Sequence, residues 1–314
     1  MAKAKSKHSS NLITALKFVK LTGANYCSIG SNMVSAFTEN VAMGFPIEED
    51  LVAQANIKYL LQSLVKASEH ATITQLELNK LHVNSGGLEV YVNCEKQTEH
   101  VKPDESTKAL DARFTIALES VLPISSAFGD HVAVKTILIK KNSMFATNRH
   151  CLVEYWHGLN LDSVIVAKKF CDLVIKAKKE VASIGYSKNS VTVYFKDGAW
   201  IMGRNFVEGW IDPYLILNFN GTYNETSEEF RNALRAVPAF SDTGVAYCGS
   251  ECLQSHPEKQ QGASYPVPGL PEGAVYGVKE LEYLYKFACS VSFADSKVLH
   301  FSGKNLRGAI SSRG

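Results

Sequence analysis

The sequence predicts an α+β protein built from three repeated domains, each with two helices packed on antiparallel strands. Three observations predict this fold class. The chain has 314 residues, a length at which one core commonly gives way to several domains. Segments with helical periodicity alternate with short strand-like segments. The same order of segments then returns at a nearly constant spacing, which is typical of repeated structural units.

The first copy of the repeat has helical patterns at residues 12–20 and 56–67. Three strand-like segments follow the second helix at 72–78, 81–83 and 88–92. Gly86 and Gly87 separate the last two segments and predict a turn there.

The second copy matches the first almost position by position, and a third copy follows it. Their helical patterns cover 106–122 and 166–177 in the second copy, and 225–237 and 278–288 in the third. Their strand-like segments are 181–186, 191–195, 199–202, 291–293, 298–301 and 306–310. Lys58, Lys168 and Lys279 are equivalent, with steps of 110 and 111 residues between them.

A second marker repeats in register ahead of these helices. Residues 36–40 resemble residues 145–149, and Thr38 lies 109 residues before Thr147. Residues 253–258 occupy the same place in the third copy, with a looser resemblance. Polar stretches at 95–105 and 218–221 indicate boundaries. The predicted domains are therefore 1–105, 106–218 and 219–314.

Composition and cysteine usage indicate a soluble intracellular protein. Hydrophobic residues make up 46% and charged residues 20% of the chain, as in ordinary globular proteins. The seven cysteines are odd in number and scattered, which favours reduced thiols. Residues 1–10 lead into no apolar segment of a secretory signal, and no segment reaches transmembrane length. We expect a cytoplasmic protein with no membrane partner, in a bacterium or an infected host.

Positive charge is concentrated in the predicted helices, although the whole chain carries only +2. The helices sum to +7 when counted over 12–20, 56–68, 106–122, 166–179, 225–238 and 278–288. Three lysines in the N-terminal tail add +3, so the remainder carries −8. Basic helices can contact phosphates without reading bases, which permits sliding. Any single lysine is equally well explained as a solvated surface charge.

Three segments, in matching order and spacing, resemble one family. Residues 145–152 (Phe-Ala-Thr-Asn-Arg-His-Cys-Leu) are similar to the family's Ala-Thr-Asp-Gly-His-Arg-Leu-Ala. Residues 208–214 resemble its Gly-Arg-Phe-Pro-Asp-Tyr, and residues 255–261 its Asn-Asn-Pro-Glu-Gln-Glu-Glu. The family is the bacterial β sliding clamp, the processivity subunit of replicative DNA polymerases. The basic tail and low similarity suggest a bacteriophage version.

The resemblance implies a ring of two chains and six domains that encloses double-stranded DNA, with helices on the inner wall. It also implies a DNA polymerase and a clamp loader as partners, and neither a cofactor nor catalysis. The candidate residues of the channel lining are Lys17, Lys20, Lys58, Lys66, Lys108, Arg113, Lys168, Lys169, Lys176, Lys179, Arg231, Arg235, Lys279 and Lys286.

The resemblance further implies a pocket between the second and third domains that takes a short hydrophobic peptide from partner enzymes. Its candidate residues are Thr147, Arg149, His150, Cys151, Leu152, Pro213, Tyr214, Ile310, Ser311, Ser312 and Arg313. Two departures from the family, Arg149 in place of glycine and a polar C-terminus, predict a pocket reshaped for a different peptide.

Other functions are open alternatives. A clamp-fold decoy would bind clamp partners without encircling DNA. His150 beside Cys151 suggests a thiol enzyme, but neighbouring strand residues point to opposite faces. Cys248, Cys252 and His256 lack a fourth ligand and the usual spacing of a metal site. We therefore predict no catalytic residue and no metal.

Overall fold

The computed structural model describes residues 5–7, 10–67, 71–77, 79–95, 101–126, 129–258, 260–295 and 298–314. Some positions named above lie outside these ranges: Lys3 of the tail, Ser68, Leu78, Lys259 and residues 96–100 of the first boundary stretch.

Within the described ranges, each repeat has eight strands in the same order around its helices. The elements of the first repeat are β1 (Lys5–Lys7), α1 (Ser10–Val19), β2 (Tyr26–Gly30), β3 (Met33–Thr38), β4 (Val41–Pro46), β5 (Ala53–Asn56), α2 (Ile57–Lys66), β6 (Thr72–Glu77), β7 (Lys80–Ser85) and β8 (Leu88–Glu95). The elements of the second are β9 (Ser106–Ala109), α3 (Ala112–Val121), α4 (Val132–Lys135), β10 (Thr136–Ile139), β11 (Ser143–Thr147), β12 (Cys151–Trp156), β13 (Val164–Ala167), α5 (Lys168–Lys176), β14 (Val181–Tyr186), β15 (Ser190–Phe195) and β16 (Trp200–Arg204).

A short helix, α6 (Tyr214–Leu217), precedes the third repeat. The elements of that repeat are β17 (Asn224–Glu225), α7 (Glu228–Ala236), β18 (Val245–Gly249), β19 (Cys252–Gln254), β20 (Ser264–Pro266), β21 (Val275–Gly277), α8 (Val278–Phe287), β22 (Ser290–Asp295), β23 (Val298–Ser302) and β24 (Leu306–Ser311).

Strand pairing follows one scheme three times. The four strands between the two long helices of each repeat pair in the orders β5-β2-β3-β4, β13-β10-β11-β12 and β21-β18-β19-β20. The last three strands of each repeat form an antiparallel meander. The opening strand β1, β9 or β17 then pairs with the first strand of its own meander. The repetition read from the sequence is thus also a repetition of hydrogen bonding.

Successive repeats are joined by pairing between their sheets. Strand β16 pairs antiparallel with β4, and Trp200 lies opposite Gly44. A Cβ at residue 44 would lie 2.3 Å from the Trp200 ring, so glycine is required there. Strand β24 pairs with β12 in the same way, with Ile310 opposite Cys151. These joints produce sheets of twelve and eight strands, while β18–β21 form a separate sheet of four.

The chain divides into two compact units that follow the joined sheets. One unit consists of Met1–Thr115 and Lys169–Asn205, and the other of Ile116–Lys168 and Phe206–Gly314. In the first unit, the ring of Phe18 packs edge-on against Phe45 and Phe195 at centroid distances of 5.6 and 6.1 Å. In the second, the Tyr283 hydroxyl donates to the Ser120 carbonyl at 2.9 Å.

The helix predicted at 106–122 begins only at Ala112, so this part of the prediction is wrong. Residues Ser106–Ala109 form β9, and Lys108 lies on that strand rather than on a helix. The Asp111 carboxylate accepts a hydrogen bond from the Arg113 backbone N–H at 2.9 Å. A side chain that accepts from the first turn in this way starts a helix after itself.

Two more predicted helices begin late for similar local reasons. The pattern at 225–237 becomes helical at Glu228, because the Ser227 hydroxyl caps the Phe230 N–H at 3.1 Å while Glu225 pairs with Ser290. The pattern at 166–177 becomes helical at Lys168. Its first residues belong to the β-branched strand β13, which pairs with β10.

Candidate functional site

The turn between β11 and β12 is held by its own side chains. The Asn148 Oδ1 accepts from the backbone N–H groups of His150 and Cys151 at 3.0 and 2.7 Å. The Thr147 hydroxyl donates to the Cys151 carbonyl at 2.8 Å, and the Arg149 N–H donates to that hydroxyl at 3.2 Å. Arg149 has a φ of 82°, in the left-handed region that favours glycine. The backbone of Arg149 is therefore strained, but hydrogen bonds within the turn hold it in place.

A buried carboxylate ties this turn to α8 and to the C-terminus. The Glu280 side chain is 1% exposed, and its Oε1 accepts from Asn148 Nδ2 at 2.5 Å. Arg313 Nη2 lies 2.9 Å from both oxygens of the same carboxylate. Charge-assisted bonds of this kind compensate the desolvation of a buried charge. Three segments distant in sequence are consequently fixed together.

The segment after β16 packs on the same sheet. Trp210 Nε1 donates to the Thr136 hydroxyl at 3.0 Å, which anchors the indole. The Tyr214 ring meets Phe145 edge-on at 5.6 Å, and its hydroxyl donates to Glu154 Oε1 at 3.3 Å. Burial, and then the Glu154 carboxylate, raise the pKa of Tyr214. Arg307 Nε completes this polar group at 2.7 Å from Glu154 Oε2.

A cavity of about 320 Å³ opens between the turn and this segment. Its walls are mainly apolar, and two of the lining side chains, Ile211 and Ile216, are 71% and 52% exposed. The lining residues are His131, Ala133, Val134, Thr147, Arg149, Leu152, Trp210, Ile211, Asp212, Pro213 and Ile216. Exposed large apolar groups around a concave apolar surface mark sites where another molecule binds.

The structure brings four of the predicted pocket residues to this cavity: Thr147, Arg149, Leu152 and Pro213. The others lie close by without lining it. Tyr214 lines a neighbouring cleft. Cys151 and Ile310 are buried and paired across the β12–β24 joint, and the Ser311 N–H donates to the His150 carbonyl at 2.7 Å. Ser312 Oγ accepts from the Val275 N–H at 3.0 Å, and Arg313 binds Glu280 as described.

Sequence reasoning missed seven lining residues. Four of them (Trp210, Ile211, Asp212, Ile216) lie in or next to the motif at 208–214, where apolar residues stand outside any periodic element. That run could have signalled an exposed apolar surface. His131, Ala133 and Val134 carry no such signal, because only the fold brings α4 and the residue before it to the turn.

Cys151 lies in an environment that opposes thiolate chemistry. Burial, and secondly the Glu280 carboxylate, raise the pKa of the Cys151 thiol well above its ordinary value. Since the thiolate is the nucleophile, this thiol is unreactive at neutral pH. In the part of the chain that the structure describes, no group of three His, Cys, Asp or Glu residues is arranged to hold a metal ion.

The predicted cationic residues fall into two groups. Several are engaged: Arg113 pairs with Asp111 at 2.7 Å, Lys179 pairs with Asp197, and Arg231 donates to the Ala288 carbonyl at 3.1 Å. Arg235 donates to Asn232 at 3.2 Å, and Lys286 lies 5.0 Å from the Phe287 ring centroid. Lys108 and Lys168 are half-buried.

The second group is exposed and forms no ion pair among the described residues: Lys17, Lys20, Lys58, Lys66, Lys169, Lys176 and Lys279. Six of these seven lie on or directly after α1, α2 and α5. The opposite face of α5 buries Phe170, Leu173 and Val174, so packing directs its lysines to solvent.

Solved structures that match this chain over its whole length include bacterial DNA polymerase III beta subunits. The chain therefore has the sliding-clamp fold, which confirms the predicted fold class. The Caulobacter crescentus subunit matches with a TM-score of 0.80 and 13% identity, with 100% of both chains covered. The Pseudomonas aeruginosa subunit gives 0.78 and 11% over 100% of both chains, and that of Thermotoga maritima 0.72 and 11% over 99% of both.

Sequence comparison adds no relative. No protein-family model matches the chain, and no curated protein sequence matches it. Among the described residues, no helix is long and apolar enough to span a bilayer.

Proposed function

We propose that this chain is a sliding clamp without catalysis of its own. Two copies, each with domains 1–105, 106–218 and 219–314, close into a ring around double-stranded DNA. The ring is placed by a clamp loader in the cytoplasm and tethers a DNA polymerase. The low identity to bacterial clamps and the basic N-terminal tail support a bacteriophage source.

The observation that carries this proposal is a strand joint that occurs twice within the chain, while one half of the same joint is left unpaired in the first repeat and the other half in the third. The first residues of β16 and β24 pair with the last strand of the preceding repeat's four-stranded set, β4 or β12. The equivalent residues of β8 have no strand on that side among the described residues, and neither has the outer edge of β20.

These two open edges are complementary, because β20 corresponds to β4 and β12 in the repeat and β8 corresponds to β16 and β24. If β20 of one copy pairs with the start of β8 of another, the joint is the same as the two within the chain. Two such joints close two chains head to tail with two-fold symmetry and cover both of these edges in each chain. On β8, Leu88 and Tyr91 are 38% and 48% exposed, as expected for side chains of a strand that has no neighbouring strand on one side.

The unpaired lysines support DNA as the enclosed molecule. Lys58 and Lys66 on α2, like Lys169 and Lys176 on α5, extend from helices whose other face is buried. Ammonium groups without a carboxylate partner are available to phosphates, and such contacts carry no base information. The cavity between the β11–β12 turn and α6 supports a short apolar peptide as the attachment of the polymerase.

The decisive experiment asks whether the chain is held on DNA topologically. The protein is mixed with nicked circular DNA at a protein concentration below the dissociation constant of the dimer, so that it is monomeric. The mixture is then concentrated so that rings close around the DNA, and bound protein is separated from free protein by gel filtration in high salt. We expect retention in salt that screens phosphate contacts, and release when a single-site nuclease linearises the circle. Equal loss from circular and linear DNA would show that the chain does not encircle it.

A second measurement separates the clamp from an enzyme. Cys151→Ala should leave both ring retention and polymerase stimulation unchanged, because the thiol is buried and protonated. Loss of activity in a variant that still folds would favour the thiol-dependent alternative.

A further inference from the structure

Arg149 stands where two cavities meet. It lines the apolar cavity described above, and together with Val134 it also lines a second cavity of about 780 Å³. The second cavity is polar on the side formed by the start of α8, where Lys279 and Glu280 lie, and by Arg313 near the C-terminus. A molecule that fills the apolar cavity thus has a cationic surface directly beside it.

The charges around the two cavities do not cancel. Asp212 of the apolar cavity lies 3.8 Å from Lys140 Nζ. Glu280 of the polar cavity is bound through both oxygens by Arg313. Both acidic groups are therefore neutralised by cations of the chain itself. The guanidinium of Arg149 and the ammonium of Lys279 form no ion pair with any described residue, which leaves two uncompensated positive charges.

The backbone holds Arg149 in a defined place. Its own N–H and those of the next two residues are all bonded to side chains of the turn, at distances of 2.7 to 3.2 Å. These bonds maintain a φ of 82° that an arginine adopts only at a cost. The base of the side chain is thus fixed at the junction of the cavities, and a planar guanidinium suits bidentate binding of a carboxylate.

We infer that the peptide bound at this site is acidic as well as apolar. Its apolar side chains occupy the cavity lined by Leu152, Trp210 and Ile216. An aspartate or glutamate adjacent to them binds Arg149, with Lys279 as the second cation. The inference rests on the proposed docking of a partner peptide and specifies the chemistry of that peptide.

The test uses a phage-displayed library of random hexapeptides selected on the immobilised full chain. The enriched peptide is synthesised with blocked termini and a fluorescent label, beside a version with its acid replaced by the amide. Anisotropy titrations compare wild type, Arg149→Gln, Lys279→Gln and Ile211→Asp. Lys304→Gln removes the same charge from an exposed residue that lines neither cavity and is the matched control.

We expect an acidic residue at a constant spacing from apolar ones in the selected peptides. The amide should weaken binding to wild type and to Lys304→Gln about tenfold, and to Arg149→Gln about twofold or less. An apolar consensus without an acid, or an amide effect undiminished in Arg149→Gln, overturns the inference.

The readouts separate this inference from the proposed function. If the selected peptides bind Ile211→Asp as tightly as wild type, they do not use the cavity, and the docking of a peptide there also fails. Retention on circular DNA does not involve the peptide. Failure of that assay would overturn the clamp itself, whatever the library selects.

Discussion

At the scale of single residues, Arg149 combines strain with an exposed charge. Its φ of 82° is a conformation that glycine adopts without a Cβ penalty. We predict that Arg149→Gly raises the free energy of unfolding by roughly 1 kcal/mol, the strain of one left-handed residue less the entropy of glycine. Denaturant unfolding monitored by circular dichroism measures the change.

Arg149→Ala is the control for this prediction. Alanine removes the guanidinium but keeps the Cβ, so its unfolding midpoint should stay close to that of wild type. If alanine stabilises as much as glycine, the gain comes from removing positive charge and not from relief of strain.

The cysteines provide a second residue-scale prediction. Burial, with smaller contributions from Cys94 and Cys252 respectively, raises the pKa of Cys27 and Cys248 from 9.0 to about 12. These thiols are protonated at pH 8, whereas Cys289 is exposed. Iodoacetamide at pH 8 should alkylate Cys289 in the native protein and the buried thiols only after unfolding, as mass spectrometry of peptides will show.

The same pKa shifts predict the direction in which the free energy of unfolding changes with pH. Because their pKa is raised in the folded state, these two thiols contribute fully to the free energy of unfolding below the ordinary thiol pKa of 9.0. This contribution is lost as the pH rises towards about 12. Native alkylation of Cys27 or Cys248 at pH 8, as fast as that of Cys289, would contradict this interpretation of their environment.

At the scale of elements, the lysines of one helix are expected to contribute to the salt dependence of the affinity for duplex DNA. Lys169 and Lys176 are two turns apart on the exposed face of α5. Replacing both with glutamine should reduce the slope of log affinity for duplex DNA against log salt by roughly 0.9 for each phosphate that the variant no longer neutralises. Titrations at several salt concentrations give the slope.

A charge-matched variant tests whether position matters or only net charge. Lys188→Gln with Lys196→Gln removes two exposed cations from the same unit, outside the helices. Its slope should remain near that of wild type. Equal slopes for the two double variants would show that the lysines of α5 do not contact DNA.

At the scale of the whole molecule, the open edge of β8 predicts how two chains associate. Tyr91 is exposed on this strand, and an added charge on a sheet edge opposes strand pairing. Tyr91→Lys should raise the dissociation constant of the dimer about tenfold or more. Sedimentation velocity over a range of concentrations measures this constant.

Tyr285→Lys is the matched control, since Tyr285 is 42% exposed but lies on α8 and not on a sheet edge. It should dimerise like wild type. If both variants dissociate equally, or if Tyr91→Lys has no effect, the two chains do not join through β8.

The fold was largely predictable from the sequence, whereas the site was predictable only in part. Helical and strand periodicities are local, so the repeat, the six long helices and the last three strands of each copy could be placed. The strands β1, β9 and β17 have two to four residues. They are too short to show a period, which is why the sequence predicts residues 106–109 as part of a helix.

The threefold plan follows from the sequence alone, because each amphipathic segment carries its own pattern of burial. Which residues meet depends on how distant segments pack in three dimensions. Leu152 reaches Trp210 and Ile216 across one cavity, and Asn148 reaches Glu280 and, through it, Arg313. Such contacts depend on the register of strand pairs such as β12 and β24, and no local spacing in the chain encodes a pairing between segments more than 150 residues apart.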